Sequence, residues 1–111
     1  MKKIFRLSLQ RDFNSVFKKG LGSGSTSLTI KYLENGKKIF RLAVIVSKKV
    51  AKKAVERNLL RRRLKEIFRK HSPQLIGWDV ILIAKPELAK KSFLELAETL
   101  EKTLKRTKIF Q

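Results

Sequence analysis

The stretch from Val46 to Lys70, VSKKVAKKAVERNLLRRRLKEIFRK, constrains this chain most, because it has to satisfy two environments at once. It carries eleven of the 28 basic side chains, with only Glu56 and Glu66 set against them. Wound as a helix at about 100° per residue, it places Asn58, Arg61, Arg62, Lys65 and Arg69 on one stripe. Leu60, Leu64, Ile67 and Phe68 fall on roughly the opposite one. One face can enter a core while the other meets a polyanion. Like charges fixed on one face of a rigid helix repel one another, so the arrangement makes physical sense when something negative neutralises them. The spacing predicts a helix from about Lys53 to Lys70. Ala51, Ala54, Val55 and Leu59 lie about half a turn from the later apolar stripe. Either the helix begins nearer Asn58, or its first turns pack against something different.

Composition narrows the class of function. A net charge of +19 with 42% hydrophobic residues in 111 is too apolar for a disordered basic tail and too basic for an ordinary metabolic enzyme. The length suits one domain, 1–111, with residues 1–7 and 107–111 expected to fray. There is no cysteine and His71 is the only histidine, which excludes disulfides, thiolate metal sites and a multi-histidine relay. The nine acidic residues are scattered, with no close pair suited to two-metal or acid/base chemistry. The expectation is therefore no metal site and no cofactor in the protein itself, and nucleic acid is the default partner. MKKIFRLSLQ lacks the apolar region and cleavage site of a signal peptide, and no apolar run of about 18 residues offers a membrane span. The cytoplasm is the expected compartment.

In chain order, Ser8 or Gln10 can open a short helix with Phe13, Val16 and Phe17 at i, i+3 and i+4. Lys18 and Lys19 suit its C-terminal end, and Gly20 reads as a left-handed cap. LGSGST, 21–26, reads as a flexible linker. SLTIKYL (27–33) and KIFRLAVIVS (38–47) have strand character, and the Asn35-Gly36 between them predicts a hairpin. The second strand sets Phe40, Leu42, Val44 and Val46 against Arg41, Ala43, Ile45 and Ser47, giving one core side and one side open to solvent or ligand. His71-Ser72-Pro73 ends the basic helix and Gly77 marks a turn. WDVILIA, 78–84, reads as a central strand covered on both faces, joined to the previous strand by a parallel crossover. A last amphipathic helix opens with the Ser92/Glu95 capping box. It buries Phe93, Leu96, Ala97, Leu100 and Leu104, and Glu95, Glu98 and Glu101 precede Lys102, Lys105 and Arg106 at i,i+4-compatible positions.

Val46-Ser47-Lys48-Lys49, then Ala54-Val55-Glu56-Arg57-Asn58, then Arg61-Arg62, Lys65-Glu66 and Phe68-Arg69, resemble the signature of the bacterial ribonuclease P protein subunit. Arg11-Asp12-Phe13, Val16-Phe17 and Gly20 are similar to that family's first-helix pattern, and Arg41-Leu42-Ala43 to its central strand. The likeness runs from about residue 6 to 106. One position departs: the family's Arg-Asn-Arg stands here as Arg57-Asn58-Leu59. The resemblance implies an α/β fold of α+β sandwich type, in α-β-β-β-α-β-α order, with a left-handed crossover against the usual preference. It implies a subunit that assists 5′ maturation of precursor tRNA while an RNA subunit carries the active site, with Mg2+ expected in the ribonucleoprotein. Lys53, Arg57, Asn58, Arg61, Arg62, Lys65 and Arg69 are then expected to bind the RNA subunit. Phe13, Phe17, Ser47, Lys48 and Lys49 are expected at a cleft for the 5′ leader.

The residue chemistry agrees independently. Guanidinium forks bind phosphate oxygens bidentately, a helical stripe follows a backbone by shape, and exposed aromatics beside it stack single-stranded bases. The blander readings are a solvated basic face, Asn58 as an N-cap, Phe13 and Phe17 as plain core, and Tyr32 and Trp78 as packing residues. The alternative function is a structural RNA-binding protein of ribosomal type with no role in a reaction. A membrane-binding amphipathic helix is disfavoured, because the apolar face of residues 60–68 is needed for the core.

Overall fold

Trp78–Ala84 (β5) is the most apolar run of the chain, and it lies at the centre of a five-stranded sheet, hydrogen-bonded on both edges. The computed structural model describes residues 4–110. In chain order the other elements are β1 (Ile4–Arg6), α1 (Gln10–Lys19), β2 (Leu21–Gly24), β3 (Leu28–Glu34), β4 (Phe40–Ile45), α2 (Ala54–Lys70), α3 (Ser72–Leu75) and α4 (Phe93–Lys105). Short 3-10 turns cover Pro86–Lys90 and Lys108–Phe110. The sheet order is β1-β4-β5-β3-β2, with β5 parallel to β4 and antiparallel to β3. This is the expected α-β-β-β-α-β-α order with a short strand added in front and the one-turn helix α3 inserted after α2, and α2 forms the expected crossover between parallel neighbours.

Alternation of side chains along the strands divides the apolar residues between two faces. On one, Leu28, Ile30, Tyr32, Phe40, Leu42, Val80 and Leu82 meet Leu60, Leu64, Ile67 and Phe68 of α2, and Leu96, Leu100 and Leu104 of α4. Burying each such side chain contributes about 1.5–3 kcal/mol, so this face holds most of the stability. On the other, Leu7, Val16 and Ile81 form a small cluster with Phe13, Leu33, Ala43, Ile45 and Ile83 packed around it. The only helix among the described residues on this second face is α1, too short to cover it.

Several expectations are corrected. Asn35 and Gly36 do turn the chain, with Gly36 at φ +67°, but β3 and β4 do not pair with each other. Both flank β5, which is apolar on both faces and gains a ladder on each edge only at the centre of the sheet. Asn35 serves this junction: its N–H donates to the Gly77 carbonyl at 2.8 Å, and its Nδ2 donates to the Ile39 carbonyl at 3.1 Å. The supposed linker 21–26 contains β2, paired through its backbone from Leu21↔Tyr32 to Gly24↔Thr29. An edge strand needs main-chain rungs more than side chains, so its Gly/Ser composition concealed it. Gly20 is extended, not left-handed, at φ −74°. Glycine is needed there because a Cβ would lie 2.3 Å from the Val16 carbonyl oxygen and 2.8 Å from that of Tyr32.

The basic helix starts at Ala54 rather than near Asn58, and its early apolar residues face out, Val55 being 78% exposed. In α4 the capping box forms as expected, but Phe93 is exposed and Glu101 lies 3.7 Å from His71. Near the ends, Ile4–Arg6 pair with Phe40–Leu42, Leu7 is buried, and the Lys108 N–H donates to the Tyr32 hydroxyl at 3.1 Å. Residues 1–3 and 111, also expected to fray, lie outside the described residues.

Candidate nucleic-acid interface

The stripe on α2 forms as its periodicity requires. Leu60, Leu64, Ile67 and Phe68 are buried, while Asn58, Arg62, Lys65 and Arg69 are exposed and Arg61 half-buried. Exposed Lys53 occupies the N-cap position with no side-chain capping bond. Asn58 is not the cap: it sits inside the helix, and its Oδ1 accepts from Arg61 Nη1 at 2.6 Å. Arg61 Nη2 also reaches the Val46 carbonyl at 3.5 Å. Arg57 turns back, and its Nη1 donates to the carbonyls of Ala51 at 3.1 Å and Lys52 at 2.7 Å. Its guanidinium is therefore partly occupied in holding the turn before the helix. Arg69 pairs with Glu66. Among the described residues Arg62 and Lys65 have no hydrogen-bonding or ionic partner, which leaves both cations available to a ligand.

Beside this stripe opens a cleft of about 730 Å³. Gln10 and Phe13 of α1 form one wall, and Arg61 and Lys65 of α2 form the other. Arg6, Leu7 and Ser8 close one end, and residues 42–46 at the edge of β4 make the floor. The two groups of residues expected on separate surfaces thus share one: Phe13 faces the same space as Arg61 and Lys65. Phe17 is 41% exposed and outside the lining, with its ring 5.2 Å from that of Phe13. It is therefore not core, in contrast to fully buried Val16. Ser47, Lys48 and Lys49 do not line the cleft; they are exposed in the turn that follows its floor, closed by the Val50 N–H donating to the Ser47 carbonyl at 3.1 Å. Arg6 and Gln10 were not anticipated as lining. The short strand β1 gives Arg6 no signal of its own, and Gln10 is marked in the sequence only as a possible start of α1.

A partly buried ion-pair chain positions α1 over this face. Arg41 Nε and Nη2 donate to the two carboxylate oxygens of Asp79 at 2.7 and 2.6 Å, while Nη1 donates to Asp12 Oδ2 at 2.9 Å. Asn35 Nδ2 adds a bond to Asp79 Oδ1 at 2.9 Å. The hydrogen bonds to Asp79, and then those to Asp12, hold the Arg41 guanidinium pKa above its ordinary value despite partial burial. Since Asp12 precedes Phe13, the chain fixes the helix that carries one cleft wall. Its signal in the sequence was a lone arginine on the small, polar face of β4.

The arrangement offers cations for phosphates, an aromatic ring for a base, and open main chain between them. Among the described residues no group of three His, Cys, Asp or Glu side chains is placed to hold a metal ion. No helix of the described residues is long and apolar enough to cross a membrane.

Comparison with known proteins places these features in context. The family described as Ribonuclease P matches residues 1–108. The ribonuclease P protein component of Staphylococcus haemolyticus is 33% identical over 110 residues, covering 99% of this chain and 96% of that one. The structure of the Staphylococcus aureus RNase P protein superposes with a TM-score of 0.82 at 28% identity, over 98% of this chain and 100% of that one. That of the Thermotoga maritima RNase P protein gives 0.81 at 32% identity, over 93% and 97%.

Proposed function

The chain belongs to the ribonuclease P protein family, and from that premise we propose that it acts beside a catalytic RNA in removing the 5′ leader of precursor tRNA. It is a ribonuclease P protein component, and the observation that carries the division of labour is the shared cleft. Lys65 and Arg61 on α2 face the same space as Phe13 on α1, so one single strand can contact both while the outer part of the stripe meets folded RNA. In this reading Lys53, Arg57, Asn58, Arg61, Arg62, Lys65 and Arg69 serve the RNA subunit. Phe13, Phe17, Ser47, Lys48 and Lys49 serve the leader. Arg61 and Lys65 stand at the junction.

Catalysis is assigned to the RNA. The Mg2+ expected in the ribonucleoprotein belongs with RNA phosphates, which bind it with its waters. The protein's own part is to neutralise phosphate repulsion and to hold the leader extended. It works in the cytoplasm, where tRNA precursors arise. The test is reconstitution: protein added to a ribonuclease P RNA at low Mg2+ should raise the cleavage rate of precursor tRNA at the mature 5′ end. Binding without any change in processing would instead support the structural RNA-binding alternative.

A further inference from the structure

A main-chain N–H and C=O that no protein group meets is left to solvent or a ligand, and among the described residues β4 has such a pair. On its β1 side the last rung runs from the Leu7 N–H to the Leu42 carbonyl at 3.1 Å, and the paired register ends at Arg6↔Leu42. Main-chain groups alternate edges along a strand, so those of Arg41, Ala43 and Ile45 turn toward β5, and those of Val44 turn the same way as Leu42. After Leu7 the chain leaves the ladder to enter α1, and among the described residues nothing takes up the Val44 N–H and C=O on this side. An open edge normally invites another polypeptide strand. Here it is the floor of the cleft, with Phe13 to one side and Arg61 and Lys65 to the other. In a chain of net charge +19 these neighbours favour a polyanion carrying flat rings over a peptide.

We propose that the Val44 main chain reads one unpaired nucleobase, its N–H and C=O meeting the adjacent acceptor and donor of the base's Watson–Crick edge. The inference rests on the leader occupying this cleft and adds what the leader meets there. Stacking and phosphate contacts tolerate any sequence, whereas a fixed donor beside a fixed acceptor does not, since it distinguishes bases by the order of their polar groups. Val44 is thus a specificity-determining position whose side chain takes no part.

The experiment follows the Val44 amide of the wild-type protein by ¹⁵N–¹H NMR during titration with two single-stranded RNAs of equal length and phosphate number, one with all bases and one abasic. A downfield shift of this amide with the first alone supports the proposal. Equal shifts with both, or none while Lys65 and Phe13 respond, overturn it and leave the leader in the cleft. No response from any cleft residue overturns both readings. In the holoenzyme Val44→Pro removes this one N–H and no rung to β5. It should weaken precursor binding roughly three- to tenfold, the worth of one hydrogen bond, and the loss should vanish when a single leader position is made abasic. A loss of the same size at every abasic position overturns base reading.

Discussion

Arg41 and Asp79 stand directly opposite each other across the β4–β5 ladder and close a two-point contact at 2.7 and 2.6 Å, with side chains only 13% and 5% exposed. Removing one member strands the other in a poorly solvated place. Asp79→Ala should cost about 3–5 kcal/mol, while Asp12→Ala, which leaves the two-point contact in place, should cost roughly 1–3 kcal/mol. Urea denaturation checks both, through a lower midpoint at constant slope. Because the Arg41 pKa is raised above the ordinary arginine value, its contribution is fully present below that value and is lost only as pH rises through the higher folded one.

Glu95 has the opposite sign. Its hydrogen bonds with the Ser92 backbone and side chain lower its folded pKa below the ordinary 4.5. The stability it adds is present above that value and is lost as pH falls through the folded one. The protection of amides in the first turn of α4, taken relative to the intrinsic exchange rate at each pH, should therefore fall on acidification below about pH 4.5. Glu95→Gln should abolish that dependence, and Ser92→Ala should cost about 1 kcal/mol at neutral pH.

Arg62 is exposed on the stripe, opposite the buried Leu60, Leu64 and Ile67. Arg62→Ala should leave circular dichroism and melting temperature unchanged while weakening binding to the RNA subunit. The slope of log affinity against log salt should fall in magnitude by about one, the signature of one lost phosphate contact. Loss of helicity would show that the side chain supports the fold.

For the aromatic pair, exposure predicts which residue is separable from stability. Phe17→Ala should cost no more than about 0.5–1.5 kcal/mol, the worth of its contact with Phe13, against the roughly 3–5 kcal/mol of a core phenylalanine. Affinity for precursor tRNA should fall in Phe17→Ala and in Phe13→Ala, while affinity for mature tRNA, which lacks the leader, stays the same. Equal losses for both substrates would return these rings to a packing role.

What the sequence disclosed follows from the range of each signal. The phase of α2, the capping box at Ser92 and the buried run of β5 are local patterns, and all three form. Asn35-Gly36 correctly marks a reversal, but no local pattern says that residues 78–84 will lie between the strands it separates. β2 escaped notice because main-chain pairing leaves Gly and Ser free to occupy it. The cleft was legible only as two halves: aromatic spacing gave Phe13 and helical phase gave Lys65. That they face one space depends on where β1 stops and on how Arg41 holds α1.

A sheet whose central strand is the last to be synthesised cannot be completed from the N-terminus forward. While the chain is growing, β3 and β4 exist without the strand that belongs between them, joined by a turn that favours closing them on each other. A hairpin closes in about 1–10 μs, whereas translation at about 5–20 residues per second takes seconds to travel from Ile45 to Ala84. The nascent chain therefore has ample time to form the wrong pair, and the arrival of Trp78–Ala84 must reopen it. The Asn35 bonds to Gly77 and Asp79, absent until then, reward the exchange. A product released before Ala84 keeps its basic helix but lacks the strand that fixes it, so such fragments are expected to bind RNA without order and to aggregate through two open strand edges.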